Sequence, residues 1–225
     1  MSGVTLPTDK EVLDFVADLY QYPSGSAVSW DHVDPGADTA GIYWGAMKLH
    51  SGVWVIVPRG SVTPSDFERD AWAVLTDDPD IGFVHDGFFR GVVATLGKIK
   101  SIVGDDPWLI AGHSLGAAHT DLLAGKAIKT WRAPLRYVRF GEPRPGLSEL
   151  VHILSAIPGA SYRTVGPDGH DEVTDLPPPL PLPYEHPQNF TDLKVPQQPT
   201  TDPWGLFRYH HIQIYQQGLT LEHLG

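Results

Sequence analysis

Ser114 lies between two glycines in Gly112-His-Ser114-Leu-Gly116, directly after the apolar run Trp108-Leu-Ile-Ala111. That spacing predicts a strand, a sharp turn and a helix, with one hydroxyl presented at the tip of the turn. The glycines allow backbone angles that side chains rarely adopt, and they remove Cβ atoms where strand and helix crowd together. A serine placed there sits at a helix N-terminus, whose free N–H groups face a developing negative charge. The chemistry implied is nucleophilic attack from a nucleophile elbow.

A serine hydroxyl is a poor nucleophile without a base, and the base needs an orienting carboxylate. On an elbow of this kind, acid and base follow the serine in the chain. The candidate acids are Asp168, Asp171 and Asp175, and the candidate bases are His170, His186, His210, His211 and His223. Spacing alone leaves the pairing open. His170 with Asp168 and Asp171 would make a poor ligand set for a metal. The chemistry needs no metal and no cofactor.

The elements that must position these groups follow from pattern and punctuation. Thr8-Asp-Lys-Glu11 reads as a capping box, and Val12, Phe15, Val16 and Leu19 at helical spacing predict a packing helix over about 8–21. Gly41–Leu49 and Ser51–Pro58 read as two strands joined by a tight turn. Pro58-Arg-Gly60-Ser61 follows the second strand, and Ser65–Trp72 has helical character. Ser61 alone would be read as a cap or turn residue. Thr76–Asp80 reads as a polar turn, and a helix is expected from about Gly87 to Val103. After the elbow and its helix, to about Thr130, come a strand at Arg136–Gly141, a helix at Leu147–Ala156 and a strand at Ala160–Val165. Strand–helix alternation of this kind predicts an α/β fold with a mainly parallel sheet. Pro177–Pro183 reads as an extended surface loop, a polyproline ligand being the alternative. The stretch 185–203 looks linker-like, and Trp204, Phe207, Ile212 and Ile214 return the chain to the core. The expectation is one domain over 1–225.

Composition narrows the function classes. Of 225 residues, 41% are hydrophobic, as in an ordinary globular protein. With 16 Lys and Arg against 27 Asp and Glu, the net charge of −11 and the lack of a basic stripe argue against a nucleic-acid partner. No apolar run reaches the roughly 18 residues of a membrane span. No signal peptide is visible, so a cytoplasmic location is expected, with another export route left open. Cys is absent, which excludes disulfides and a cysteine nucleophile.

Several ordered motifs together resemble the class 3 (fungal-type, triacylglycerol) lipase family of α/β-hydrolases. They are Val55-Ile-Val-Pro-Arg-Gly60-Ser61 followed by Ser65–Asp70, then Val84-His-Asp-Gly87-Phe88, and then Gly112–Ala118. Phe140-Gly-Glu-Pro-Arg144-Pro-Gly146, Asp171-Glu-Val-Thr-Asp-Leu-Pro177-Pro178, Tyr184-Glu-His186 and His210-His211-Ile-Gln-Ile-Tyr215 complete the series. The resemblance implies an α/β-hydrolase fold, a mainly parallel sheet flanked by helices, with a short lid-like helix. It implies Ser114 as nucleophile, Asp171 as acid and His211 as base. Ser61 would help form the oxyanion hole, with the N–H of Leu115 as second donor.

Departures from the family pattern keep alternatives in view. Thr174 replaces a proline after Asp171, with Asp175 close by, and His210 stands where an aspartate is expected before His211. In the lid-like segment Phe67 and Trp72 are the only large apolar residues, with Glu68, Arg69 and Asp70 between them. That favours a soluble or dispersed ester over an oil surface, because little apolar area would be exposed for adsorption. The implied reaction is carboxylic-ester hydrolysis through an acyl-enzyme, on a small-molecule or lipid ester, with interfacial contact allowed and no membrane insertion. The alternatives are a catalytically silent binding module on the same fold, and an acyltransferase or amidase using the same elbow.

Overall fold

The computed structural model describes residues 4–37, 41–60, 74–199 and 207–222. Helix α1 (Asp9–Gln21) starts where the capping box predicts. Thr8 accepts from the Glu11 N–H, and the Glu11 carboxylate accepts from the Thr8 N–H at 2.8 Å. Its apolar face, Val12, Leu13, Val16 and Leu19, is buried.

Strands β1 (His32–Asp34), β2 (Trp44–Lys48) and β3 (Trp54–Pro58) are antiparallel neighbours. To β3 the sheet adds, in parallel, β6 (Trp108–His113), β7 (Tyr137–Phe140), β8 (Gly159–Gly166) and β10 (Thr191–Lys194). The two-residue β9 (Gly169–His170) pairs back on β8. Strands β4 (Leu75–Asp78) and β5 (Gly82–His85) form a separate hairpin where a polar turn is expected from sequence. There the Asp78 carboxylate accepts from the N–H groups of Asp80 and Ile81, and Gly82 takes φ +74°.

Alternate residues of the central strands feed two cores, as the period of two requires. Ile56, Trp108 and Ile110 face one side, against α3 (Val92–Val103), α4 (Leu115–Thr130) and α5 (Ser148–Leu154). Val55, Val57, Leu109, Ala111 and Phe140 face the other, against α1 and α6 (Ile212–Glu222). The helix expected over 87–103 is broken into α2 (Asp86–Phe89) and α3 because Gly91 takes φ +79°. The linker-like stretch contains β10, an edge strand whose Leu193 is buried against α6 residues. The proline-rich run is a loop tied to the domain, Arg144 donating to the Pro177 carbonyl at 2.7 Å.

Candidate active site

The elbow forms at the C-terminal end of the central strand β6. Ser114 takes φ +60° and ψ −133°, and is the one non-glycine residue with positive φ among those described. Such strain persists where the surroundings over-determine it, and here the packing does so. A Cβ on Gly112 would meet the Gly116 carbonyl oxygen at 2.2 Å, and one on Gly116 would meet the Pro58 carbonyl oxygen at 2.3 Å. Strand β6, helix α4 and the end of β3 therefore touch backbone to backbone. The Ser114 N–H donates to the Phe140 carbonyl at 3.0 Å, tying the elbow to the end of β7. Leu115 is the first residue of α4, so its N–H has no acceptor within the helix.

A buried carboxylate and an inward-facing histidine come from the loops after β8 and before α6. Asp171 is fully buried, and its Oδ2 lies 2.7 Å from His210 Nδ1. Tyr215 of α6 also donates its hydroxyl to that oxygen, and the Val173 N–H donates to Oδ1 at 3.0 Å. Burial alone would raise the Asp171 carboxyl. His210 beside it, with the hydrogen bonds from His210 and Tyr215, outweighs burial and holds it below the usual carboxylate range. Thr164 of β8 sets the register of both loops, its carbonyl accepting from the Asp171 N–H and its hydroxyl donating to the Tyr209 carbonyl. His210 is 5% exposed, and its Nε2 has no hydrogen-bond partner among the described residues. A Cβ on Gly141, which has φ +60°, would meet Asp171 Oδ2 at 2.6 Å and His210 Cε1 at 3.1 Å. The Phe140–Gly141 turn thus borders Ser114 on one side and the Asp171–His210 pair on the other.

The geometry places His210, and not the expected His211, against Asp171. His211 is exposed at the start of α6, whereas the neighbouring His210 turns inward onto Asp171. Of the other candidate acids, Asp175 is exposed and pairs with His170 Nε2 at 2.9 Å, and Asp168 is exposed and holds Arg208 and the hydroxyl of the buried Tyr209. His186 lies 3.3 Å from Glu142, and its Nε2 lies 2.8 Å from the Thr174 carbonyl rather than on the Asp171 carboxylate. Ser61, the lid-like segment with Phe67 and Trp72, and His223 lie outside the described residues. Among the described residues no group of three His, Asp or Glu side chains could hold a metal ion, and no helix is long and apolar enough to cross a membrane.

A family model described as Lipase (class 3) matches residues 55–180, more than half of the chain. The chain belongs to the class 3 lipase family. Membership places it among carboxylic ester hydrolases. Solved lipases share its fold. The Rhizomucor miehei lipase of a propeptide complex is 20% identical with a TM-score of 0.60, over 86% of this chain and 73% of that one. A triacylglycerol lipase from Penicillium expansum is 18% identical with a TM-score of 0.60, over 85% of this chain and 82% of that one. A lipase from Rhizopus microsporus var. chinensis is 19% identical with a TM-score of 0.57, over 81% and 63%. No curated protein sequence matches the chain. The sheet of this class 3 lipase, mostly parallel and flanked by helices, is the α/β-hydrolase fold of those fungal enzymes.

Two residues beside these groups receive no role from the sequence. Tyr20 lies on α1, whose pattern announces only packing, and His113 is legible only as a letter of the Gly112–Ala118 motif. The Tyr20 hydroxyl is 3.1 Å from His113 Nδ1, and His113 stacks on His210 with ring centroids 4.6 Å apart. Tyr215 is legible only as the last letter of the C-terminal motif.

Proposed function

We propose that the chain hydrolyses carboxylic esters through an acyl-enzyme, with Ser114 as nucleophile, His210 as base and acid, and Asp171 as the orienting carboxylate. The observation that carries this reading is the buried Asp171–His210 hydrogen bond of 2.7 Å beside a serine held at φ +60° on a helix N-terminus. His210 Nε2 takes the Ser114 proton as Oγ bonds to the ester carbonyl carbon. Asp171 keeps the imidazole in the tautomer with Nδ1–H and stabilises the charged ring. Collapse of the tetrahedral intermediate breaks the bond to the alcohol oxygen, which receives the proton from His210. A water then attacks the acyl-serine, again giving its proton to His210, and collapse returns that proton to Ser114 and frees the acid. Leu115 N–H and Ser61 are the proposed oxyanion donors, each worth typically about 3 kcal/mol.

The printed name of the Penicillium neighbour, a triacylglycerol lipase, supports a fatty-acyl ester as substrate class. The polar Glu68-Arg69-Asp70 stretch supports attack on dissolved or dispersed ester rather than at an oil surface. The test is turnover of p-nitrophenyl butyrate by Ser114→Ala, expected to fall by about 10⁵–10⁶-fold while the fold is retained. A fluorophosphonate should label the native chain once and this variant not at all. Retained turnover would overturn the nucleophile. A jump in rate as longer esters pass their solubility limit would overturn the substrate reading.

A further inference from the structure

The mechanism leaves His113 without a task, although it is buried, precedes Ser114 in the chain and stacks on the His210 ring. With the His113 ring neutral, its hydrogen bonds have only one consistent direction. The Gly60 N–H, which can only donate, lies 3.1 Å from the Tyr20 hydroxyl oxygen. That oxygen accepts, so the single Tyr20 hydrogen is free for His113 Nδ1 at 3.1 Å. His113 Nε2 lies 2.6 Å from the His210 carbonyl, which can only accept. One chain of three donors results, from Gly60 N–H through Tyr20 and His113 to His210 C=O, and of the two neutral tautomers of His113 it selects Nε2–H.

Each end of this chain is a reacting element. A Cβ on Gly60 would meet the Ser114 Cβ at 3.0 Å, so the turn after β3 lies against the nucleophile. His113 precedes Ser114 in the chain, and the carbonyl it holds belongs to the residue whose ring meets Asp171. His113 also stacks on the His210 ring, and Tyr215 meets it edge-on at 5.4 Å. We propose that Tyr20 and His113 are positioning residues, fixing the Ser114 elbow, the Gly60 turn and the His210 ring relative to one another. The proposal rests on the hydrolase reading above. It brings α1, outside the matched residues 55–180, into the active-site machinery. Burial first, and the neighbouring His210 second, hold the His113 imidazole down to about 3, so the neutral tautomer persists at the pH of ester hydrolysis.

The test uses the whole chain and the soluble p-nitrophenyl butyrate, with kcat and KM measured separately and hydrogen exchange followed at the Gly60 amide. Tyr20→Phe removes one hydroxyl from a site that keeps its shape. We expect its Gly60 amide to exchange faster and its kcat to fall about tenfold with KM unchanged, the worth of one buried hydrogen bond. His113→Leu should lose about 10²-fold in kcat, the cost of a misplaced base. His113→Gln, whose amide can still donate near the Nε2 position, should recover most of that loss. A native kcat in Tyr20→Phe, a loss carried by KM alone, or a His113→Gln no better than a folded His113→Leu would overturn the proposal. If His113→Leu does not fold, Tyr20→Phe and the Gly60 exchange decide. Turnover retained by Ser114→Ala would overturn the hydrolase reading itself, whereas a Ser114-dependent activity indifferent to Tyr20→Phe would overturn the positioning role alone.

Discussion

His210 and His211 are adjacent in sequence, yet the ring of the first meets a buried carboxylate at 2.7 Å and the second is exposed. The difference arises in the turn before α6, where Phe207 and Thr164 hold the peptide before His210 and His113 Nε2 holds the His210 carbonyl after it. With the backbone held on both sides, the His210 ring lies on the Asp171 carboxylate. His210→Asn should therefore lower kcat by about 10⁴-fold or more, while His211→Asn keeps a rate close to native. The same contrast separates the carboxylates. Asp171 receives hydrogen bonds from His210, Tyr215 and Val173, whereas Asp175 is 53% exposed and pairs with His170. Asp171→Asn, which offers the wrong hydrogen-bonding atoms to His210, the proposed base, should cost about 10⁴-fold, and Asp175→Asn should be close to neutral. Steady-state rates of the four variants on one soluble ester decide the matter, and a dead His211→Asn with an active His210→Asn would reverse the assignment.

At the scale of elements, the elbow works because three backbones meet where no side chain fits. Helix α4 packs onto β6 and β3 through Gly112 and Gly116, and nearly its whole first three turns are buried. Gly116→Ala would place its Cβ 2.3 Å from the Pro58 carbonyl oxygen, a backbone atom that cannot swing away. The helix would have to shift, at a cost of about 1–3 kcal/mol from overpacking. Ser114, the proposed nucleophile, would shift with it, so kcat should fall as well. Gly97 on α3 is the matched control, since a Cβ there meets nothing within 4 Å. Gly97→Ala should stabilise the chain by about 0.5–1 kcal/mol through helix propensity, with activity untouched. Urea midpoints of the two variants should move in opposite directions, and a stabilised Gly116→Ala would refute the close approach. A second constraint on these elements is ionic. Arg139 of β7 is fully buried between Asp121 of α4 at 2.9 Å and Glu142 at 3.0 Å, so the strand following the elbow is cross-linked to the helix leaving it.

Over the whole molecule, the sequence made most of the frame legible and left the closing contacts dark. The capping box located α1, the apolar runs located β3 and β6, and the glycine spacing located the elbow, because each is written in local pattern. Strand β10 escaped because Thr-Asp-Leu-Lys buries only Leu193, an edge strand that looks polar from the chain alone. The choice of His210, and the chain through Tyr20 and His113, depend on contacts spanning as many as 97 residues, which no local pattern records. Those long-range contacts also set how stability responds to acid. His113 and His119 are 5% exposed, and burial is the leading cause holding them to about 3 and about 4, against 6.5 in the unfolded chain. Because the folded values lie below the unfolded one, the unfolded chain binds these protons first as pH falls. Stability is therefore complete above about pH 6.5 and declines toward pH 4, by about 1.4 kcal/mol per pH unit for each histidine. Asp121 acts in the opposite sense. Burial raises its carboxyl despite Arg139, so its contribution weakens as pH rises above the unfolded carboxylate value. Two histidines against one carboxyl leave the net slope toward acid destabilisation. Below about pH 4, protonation of Asp171 and Glu142, both held low in the fold, adds to the loss. His119→Leu isolates the effect, since His119 takes no part in the proposed chemistry. Urea unfolding between pH 4.5 and 6.5 should show its pH slope reduced by the share of one proton, about 1.4 kcal/mol per unit, and an unchanged slope would show that His119 is not held neutral by burial.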